Sequence, residues 1–205
     1  MAQSPIPKHI LSKSTFMYGC QCPKRLWLHK FQPDVRDEET EEQTAIFQQG
    51  TDVGILARQL FSGGVDASPV DTFSYQQSVA DTARYISEGH TVIYEAAFQY
   101  DGILCAVDML VKKRNKWYAY EVKSSNSVKN PFVQDAALQY HVIINAGLAL
   151  ADIFIVHLNR EYVRYGELDI LQLFTPASVL DQVKEWILLK RHRGRRSGLW
   201  KGRHQ

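Results

Sequence analysis

The chain has 205 residues, of which 45% are hydrophobic and 22% charged, with a formal net charge of +2, a composition that fits an ordinary soluble domain with one substantial core. No apolar run approaches the roughly 18 residues that cross a bilayer, and the opening Met-Ala-Gln-Ser-Pro lacks the apolar segment of a signal peptide. The expectation is a single domain over residues 1–205, cytoplasmic and with no membrane partner.

Residues 12–30 begin with helix-starting Ser and Thr and contain Pro23 ahead of Lys24-Arg25-Leu26-Trp27-Leu28, which predicts one or two short helices. An acidic stretch follows, with Asp34, Asp37, Glu38, Glu39, Glu41 and Glu42 against the single Arg36. Residues 41–61 place Ile46, Phe47, Val53, Ile55, Leu56, Leu60 and Phe61 at helical intervals, and Ser62-Gly63-Gly64 ends the run. Gly50 and Gly54 lie inside that helix at a cost of about 1 kcal/mol each, so a close approach of another backbone is expected there. This helical part spans residues 1–62. Residues 75–87 predict a further helix with Val79, Ala83 and Ile86 on one face.

After His90 the period becomes extended. Three runs, 91–100, 102–112 and 117–124, are rich in Val, Ile, Tyr and Phe and are joined by Asp101-Gly102 and by Lys113-Arg114-Asn115-Lys116, which predicts an antiparallel meander. Residues 131–146 predict a helix capped by Gly147, and 152–158 a buried strand. The catalytic core is placed at 90–160. A last helix, from about 177 to 192, leads into a basic tail at 190–205. Between Lys190 and Arg203 seven Lys or Arg stand without an acid, leaving 17 of the 24 basic residues against 22 acidic ones elsewhere. That asymmetry is unlike a uniformly basic DNA-binding module and suits a tail that anchors phosphates beside an acidic site; a solvated end suits it equally. Trp200 within the tail could stack on a base.

The chemistry concentrates in the second and third strands. Asp108 interrupts the apolar run Cys105-Ala106-Val107 and Met109-Leu110-Val111, while Glu121 and Lys123 flank Val122. Residues two apart on a strand share a face, and antiparallel pairing across the Arg114-Asn115 turn can bring Asp108 beside Glu121 and Lys123. A lone Asp or Glu-x-Lys reads as a cross-strand ion pair on a solvated face. Two converging buried carboxylates, however, repel unless a cation joins them. Carboxylates supplemented by the Val122 carbonyl and water suit Mg2+ or Mn2+ rather than zinc. Such an ion would polarise a phosphoryl oxygen and activate water, with Lys123 stabilising developing negative charge.

The pattern Gly102-Ile-Leu-Cys-Ala-Val-Asp108 followed by Tyr120-Glu121-Val122-Lys123-Ser124-Ser125 resembles the second and third motifs of the PD-(D/E)XK nuclease superfamily, in its RecB-like branch related to the CRISPR-associated RecB-type exonucleases. The stretches Leu11-Ser-Lys-Ser14, Gln21-Cys-Pro-Lys-Arg-Leu-Trp-Leu28, Gly50-Thr-Asp-Val-Gly-Ile-Leu-Ala-Arg-Gln-Leu-Phe61 and His157-Leu-Asn-Arg-Glu-Tyr-Val-Arg164 are similar to the N-terminal domain of a bacterial RecB-like family of unknown function. The resemblance implies an α/β fold with a restriction-endonuclease-like core: a mixed central sheet, built from the three-stranded meander, a helix and a further strand, flanked by helices. It implies Asp108 and Glu121 as metal ligands, Lys123 as the catalytic lysine, and Glu95 as an upstream acidic residue in a supporting place. Gln139 and Tyr140 keep the residue types but not the spacing of the branch's Gln-x3-Tyr motif and are expected in support, against a nucleic-acid backbone.

Two departures bear on the activity. Gly54 stands where branch members often carry a metal-binding His, and three cysteines, Cys20, Cys22 and Cys105, cannot complete the iron-sulfur cluster of some relatives. No cluster is therefore expected, and Cys20 and Cys22 are expected to be small packed residues. The resulting expectation is a Mg2+/Mn2+-dependent deoxyribonuclease acting on single- or double-stranded DNA, in DNA repair or antiviral defence and with protein partners there. Alternatives are a catalytically weak or inactive nuclease fold serving as a nucleic-acid-binding or assembly module, and an enzyme acting on another phosphoester.

Overall fold

A computed structural model describes residues 8, 10–38, 40–71 and 74–196, with side chains as far as residue 189. The basic tail at 190–205, Trp200 included, lies outside the residues whose side chains are described. Within them the chain is a mixed α/β fold, a seven-stranded mixed sheet with helices on both faces. No helix among the described residues is long and apolar enough to cross a membrane.

The meander expected from the Val, Ile and Tyr runs is present. Strands β3 (Val92–Tyr100), β4 (Ile103–Lys113) and β5 (Lys116–Lys123) pair antiparallel in succession. Helix α5 (Asn130–Asn145) then returns the chain so that β6 (Leu150–Leu158) lies parallel to β5, and β7 (Phe174–Ser178) closes that edge antiparallel to β6. A helical crossover is what a parallel neighbour requires. Two short strands complete the sheet: β1 (Leu11–Ser12) runs parallel to the start of β4, and β2 (Val65–Asp66) runs parallel to β3.

On one face α5, α4 (Tyr75–Ser87) and α7 (Leu180–Arg196) cover a core of Ile93, Val107, Leu110, Ile143, Ile153 and Ile155. On the other, α3 (Glu41–Ala57), the 3-10 turn that extends it to Phe61, and the short α6 (Ile170–Leu173) cover Tyr94, Met109, Tyr120 and Val156. Strand alternation produces the two cores, because each inward apolar residue on one face is followed by one on the other. In the hairpin of α1 (Lys13–Gln21) and α2 (Pro23–Phe31) neither helix has a buried residue, and α1 meets the first core through the half-buried Phe16.

Three expectations are corrected. Nothing lies within 4 Å of a Cβ added at Gly50 or Gly54, so no backbone approaches either glycine. The close approach is at Gly64 instead, where a Cβ would meet the Tyr94 ring and Val92 at 2.7 Å. On α4, Ile86 packs on the core beside the buried Ser78 and Thr82 while Ala83 is exposed, and Thr82 Oγ1 accepts a hydrogen bond from the Ala97 N–H at 2.9 Å. Cys20 and Cys22 are exposed rather than packed, at the junction of two helices that bury no residue. Finally, the last helix starts at Leu180, since Ala177 belongs to β7.

Candidate metal centre

The site forms where the sheet loses its regularity. The β4–β5 ladder is paired from Lys113 and Lys116 to Met109 and Tyr120 and stops there, so Asp108 and Glu121, which would be the next pair, lie where the strands part. Beyond that point β1 replaces β5 beside β4, pairing with Ile103 and Leu104. The β3–β4 ladder also skips one pair, Glu95 and Asp108, and Glu95 has φ +51°, a left-handed value inside a strand. A non-glycine residue there costs on the order of 1–2 kcal/mol, and such strain concentrates at functional positions.

Parting exposes backbone groups that need partners. Asp108 Oδ2 accepts the N–H of Val122, so the carboxylate bridges the gap that the ladder leaves. Glu121, 2% exposed, points towards α5 and is engaged on both oxygens: Oε1 accepts from Lys123 Nζ at 2.7 Å and Lys13 Nζ at 2.8 Å, and Oε2 from Gln139 Nε2 at 2.8 Å. Lys123 Nζ also donates to Asp135 Oδ2 at 2.7 Å, and Lys13 Nζ lies 3.8 Å from that oxygen. Gln139 is fully buried one helical turn after Asp135 on α5, and its Oε1 has no hydrogen-bond partner.

The charges act strongly on one another. Burial, together with the negative charge of Glu121, pushes the Asp108 carboxyl up to about 8, against the opposing pull of Lys13 and the Val122 N–H. Burial opposes ionisation of Glu121 as well, but Lys123 and Lys13 overcome it and hold its carboxyl well below the usual range. Both lysines are raised above their ordinary value: burial works against them, and the carboxylates, Glu121 first, prevail. Glu95 is raised by burial, partly countered by Arg58, whose guanidinium bonds Glu95 Oε1 at 3.3 Å and Asp66 Oδ2 at 2.6 Å.

Asp108, Val122, Glu121, Lys123 and Gln139 are thus brought into one cluster, and Glu95 is coupled to it through charge. Tyr140, next to Gln139 on α5, is half-buried and packs on the core. Three site residues were not anticipated. Asp135 sits among Phe132, Val133, Ala136 and Ala137, the same signal of a carboxylate in an apolar run that marks Asp108. Arg58 and Lys13 carry no such signal.

The oxygen-only donors, including an orphaned buried amide oxygen, fit a hard divalent cation. Among the described residues no group of three or more His, Cys, Asp or Glu stands ready to hold a metal, so a cation would depend on two carboxylates plus amide or carbonyl oxygen. A surface depression of about 550 Å3 is lined by residues between Tyr162 and Gln172, on α6 and the loop before it, and includes none of these carboxylates. Neither a family model nor a curated protein matches the chain. Among solved structures, the crystal structure of SSO0001 is similar at 12% sequence identity and a TM-score of 0.26, covering 86% of this chain and 85% of that one; a likeness this slight carries no argument.

Proposed function

We propose that this protein is a metal-dependent nuclease with a restriction-endonuclease-like core that hydrolyses DNA phosphodiester bonds. The observation that carries the reading is the placement of Asp108 at the parting of β4 and β5, held by the Val122 N–H, with Glu121 and Lys123 in contact on the adjoining strand. Asp108 and Glu121, with the Val122 carbonyl and Gln139 Oε1, would hold Mg2+ or Mn2+. When bound, such a cation supplies Lewis-acid polarisation of a phosphoryl oxygen and lowers the pKa of water.

The chain's own residues supply the rest. Lys123 is fixed between Glu121 and Asp135, which keeps its ammonium charged and aimed at the site, where it can stabilise charge developing on phosphate. Gln139 and Asp135, on the rigid α5, orient Glu121 and Lys123. Lys13 adds a second ammonium from α1. Cytoplasmic placement and service in repair or defence, with protein partners, belong to the same proposal.

A second reading, a weakly active or inactive fold acting as a nucleic-acid-binding or assembly module, is favoured by one observation. Glu121 is already satisfied by two lysines and a glutamine, and Gly54 supplies no ligand. Incubation of labelled single- and double-stranded DNA with Mg2+, Mn2+ or EDTA, with binding followed in parallel, separates them. Cation-dependent cleavage supports the nuclease; tight binding with no cleavage under any condition supports the module.

A further inference from the structure

We propose that the α1–α2 hairpin is a binding surface for an unpaired nucleic-acid strand, delivering that strand to the carboxylate centre. That the bound strand is also the substrate rests on the nuclease reading above; the surface itself rests on charge, exposure and placement.

Residues 1–33 contain five Lys or Arg and no Asp or Glu, so the rest of the chain holds 19 basic against 22 acidic residues. The hairpin is therefore a positive segment on a body of opposite balance, suited to a polyanion. Apart from Lys13, which pairs with Glu121, its cations have no carboxylate partner among the described residues: Arg25 bonds Gln21 and lies 4.2 Å above the Tyr18 ring, and Lys30 bonds the Ile10 carbonyl. His29 registers that field, since burial and then Arg36, Arg25 and Lys30 lower its pKa.

The second ingredient is aromatic. Trp27 and Phe31, one turn apart on α2, are 53% and 64% exposed with ring centroids 5.8 Å apart. Large rings held in solvent beside cations are what an unpaired strand uses, because its bases offer open faces for stacking. Bases inside a duplex do not offer those faces. α2 can hold the rings outward because it packs on α1 rather than on the sheet, through Leu26 lying 3.0 Å from where a Gly19 Cβ would be. The third is position. The Lys30 bond to Ile10 sets the aromatic end of α2 beside the chain that enters β1, and Lys13, three residues later, reaches Glu121. A strand lying along Trp27 and Phe31 thus runs beside the segment that carries Lys13 to the centre. In sequence the acidic block begins at Asp34, directly after α2.

The test is fluorescence anisotropy of labelled oligothymidylate, and of a duplex of equal length, titrated with the full chain in EDTA so that no cleavage intervenes. Trp27→Ala and Phe31→Ala, both at exposed positions, are expected to weaken strand binding about ten-fold each while changing duplex binding little. Lys24→Gln with Arg25→Gln is expected to lower the slope of log affinity against log salt by about 0.7 per charge removed. Unchanged affinity in both sets, or equal losses for strand and duplex, overturns the proposal. So does a Trp27→Ala variant that changes only the oligomeric state, which would make the face a protein interface. A wild type that binds in this way but never cleaves defeats the nuclease reading alone.

Discussion

Asp108 is the residue on which the site turns, because its environment sets two opposing pH dependences. Its carboxyl is pushed up to about 8, so between about pH 4 and pH 8 the folded protein keeps a proton that the unfolded chain releases. Stability from this group is full below the unfolded pKa and falls as pH rises through the folded one. Glu121 works the other way: its depressed pKa gives stability above about pH 4.5 that is lost as pH falls. Asp108→Asn should therefore stabilise the cation-free protein increasingly from about pH 5 to about pH 8.5, reaching a few kcal/mol. Paired melting curves check this, and a mutant-minus-wild-type difference flat across that range would be inconsistent with it. The triad was legible in the sequence because charges stand out within apolar strands. Lys13 was not, since only the parallel pairing of β1 with β4 carries it 108 residues along the chain to Glu121.

Among the elements, the long ones were readable and the short ones were not. Periodicity located α4, the meander, α5 and β6 because each repeats its pattern over several turns or pleats. β1 and β2 have two residues each, and α6 and β7 only four and five, so their existence depends on neighbours rather than on pattern. On α4 a polar Thr82 is buried near the apolar Ile86 because a strand N–H near the Glu95 irregularity donates to its hydroxyl. The glycines make the same point in a testable form. Gly50→Ala and Gly54→Ala, in open surroundings on α3, should each stabilise by about 0.5–1 kcal/mol. Gly64→Ala should destabilise by about 1–3 kcal/mol, since the added methyl displaces Tyr94, whose hydroxyl donates to the Phe61 carbonyl at 2.6 Å. Chemical denaturation of the three variants measures both signs; a neutral Gly64→Ala would show that the turn yields freely.

At the scale of the whole molecule, the sheet supplies a rigid frame and the irregularity within it supplies the site. Two cores hold β4 and β5 together on one side of Asp108, and α5 and α1 converge on the other, so the carboxylates cannot separate without disturbing four elements. The cost of ionising Asp108 beside Glu121 is then a built-in affinity for positive charge, met at Glu121 by Lys13 and Lys123 and open to a divalent cation. Mn2+ should raise the melting temperature, more at about pH 8 than at about pH 5, where protons compete for Asp108. An equal shift at both pH values, or none in the wild type, would argue against a cation on these residues. The most direct test of the centre is the Mn2+-dependent rate of DNA cleavage by wild type, Asp108→Ala and Lys123→Met, each verified as folded. Cleavage by wild type that falls at least about a hundred-fold in both variants is the predicted result; equal rates in all three would contradict the assignment.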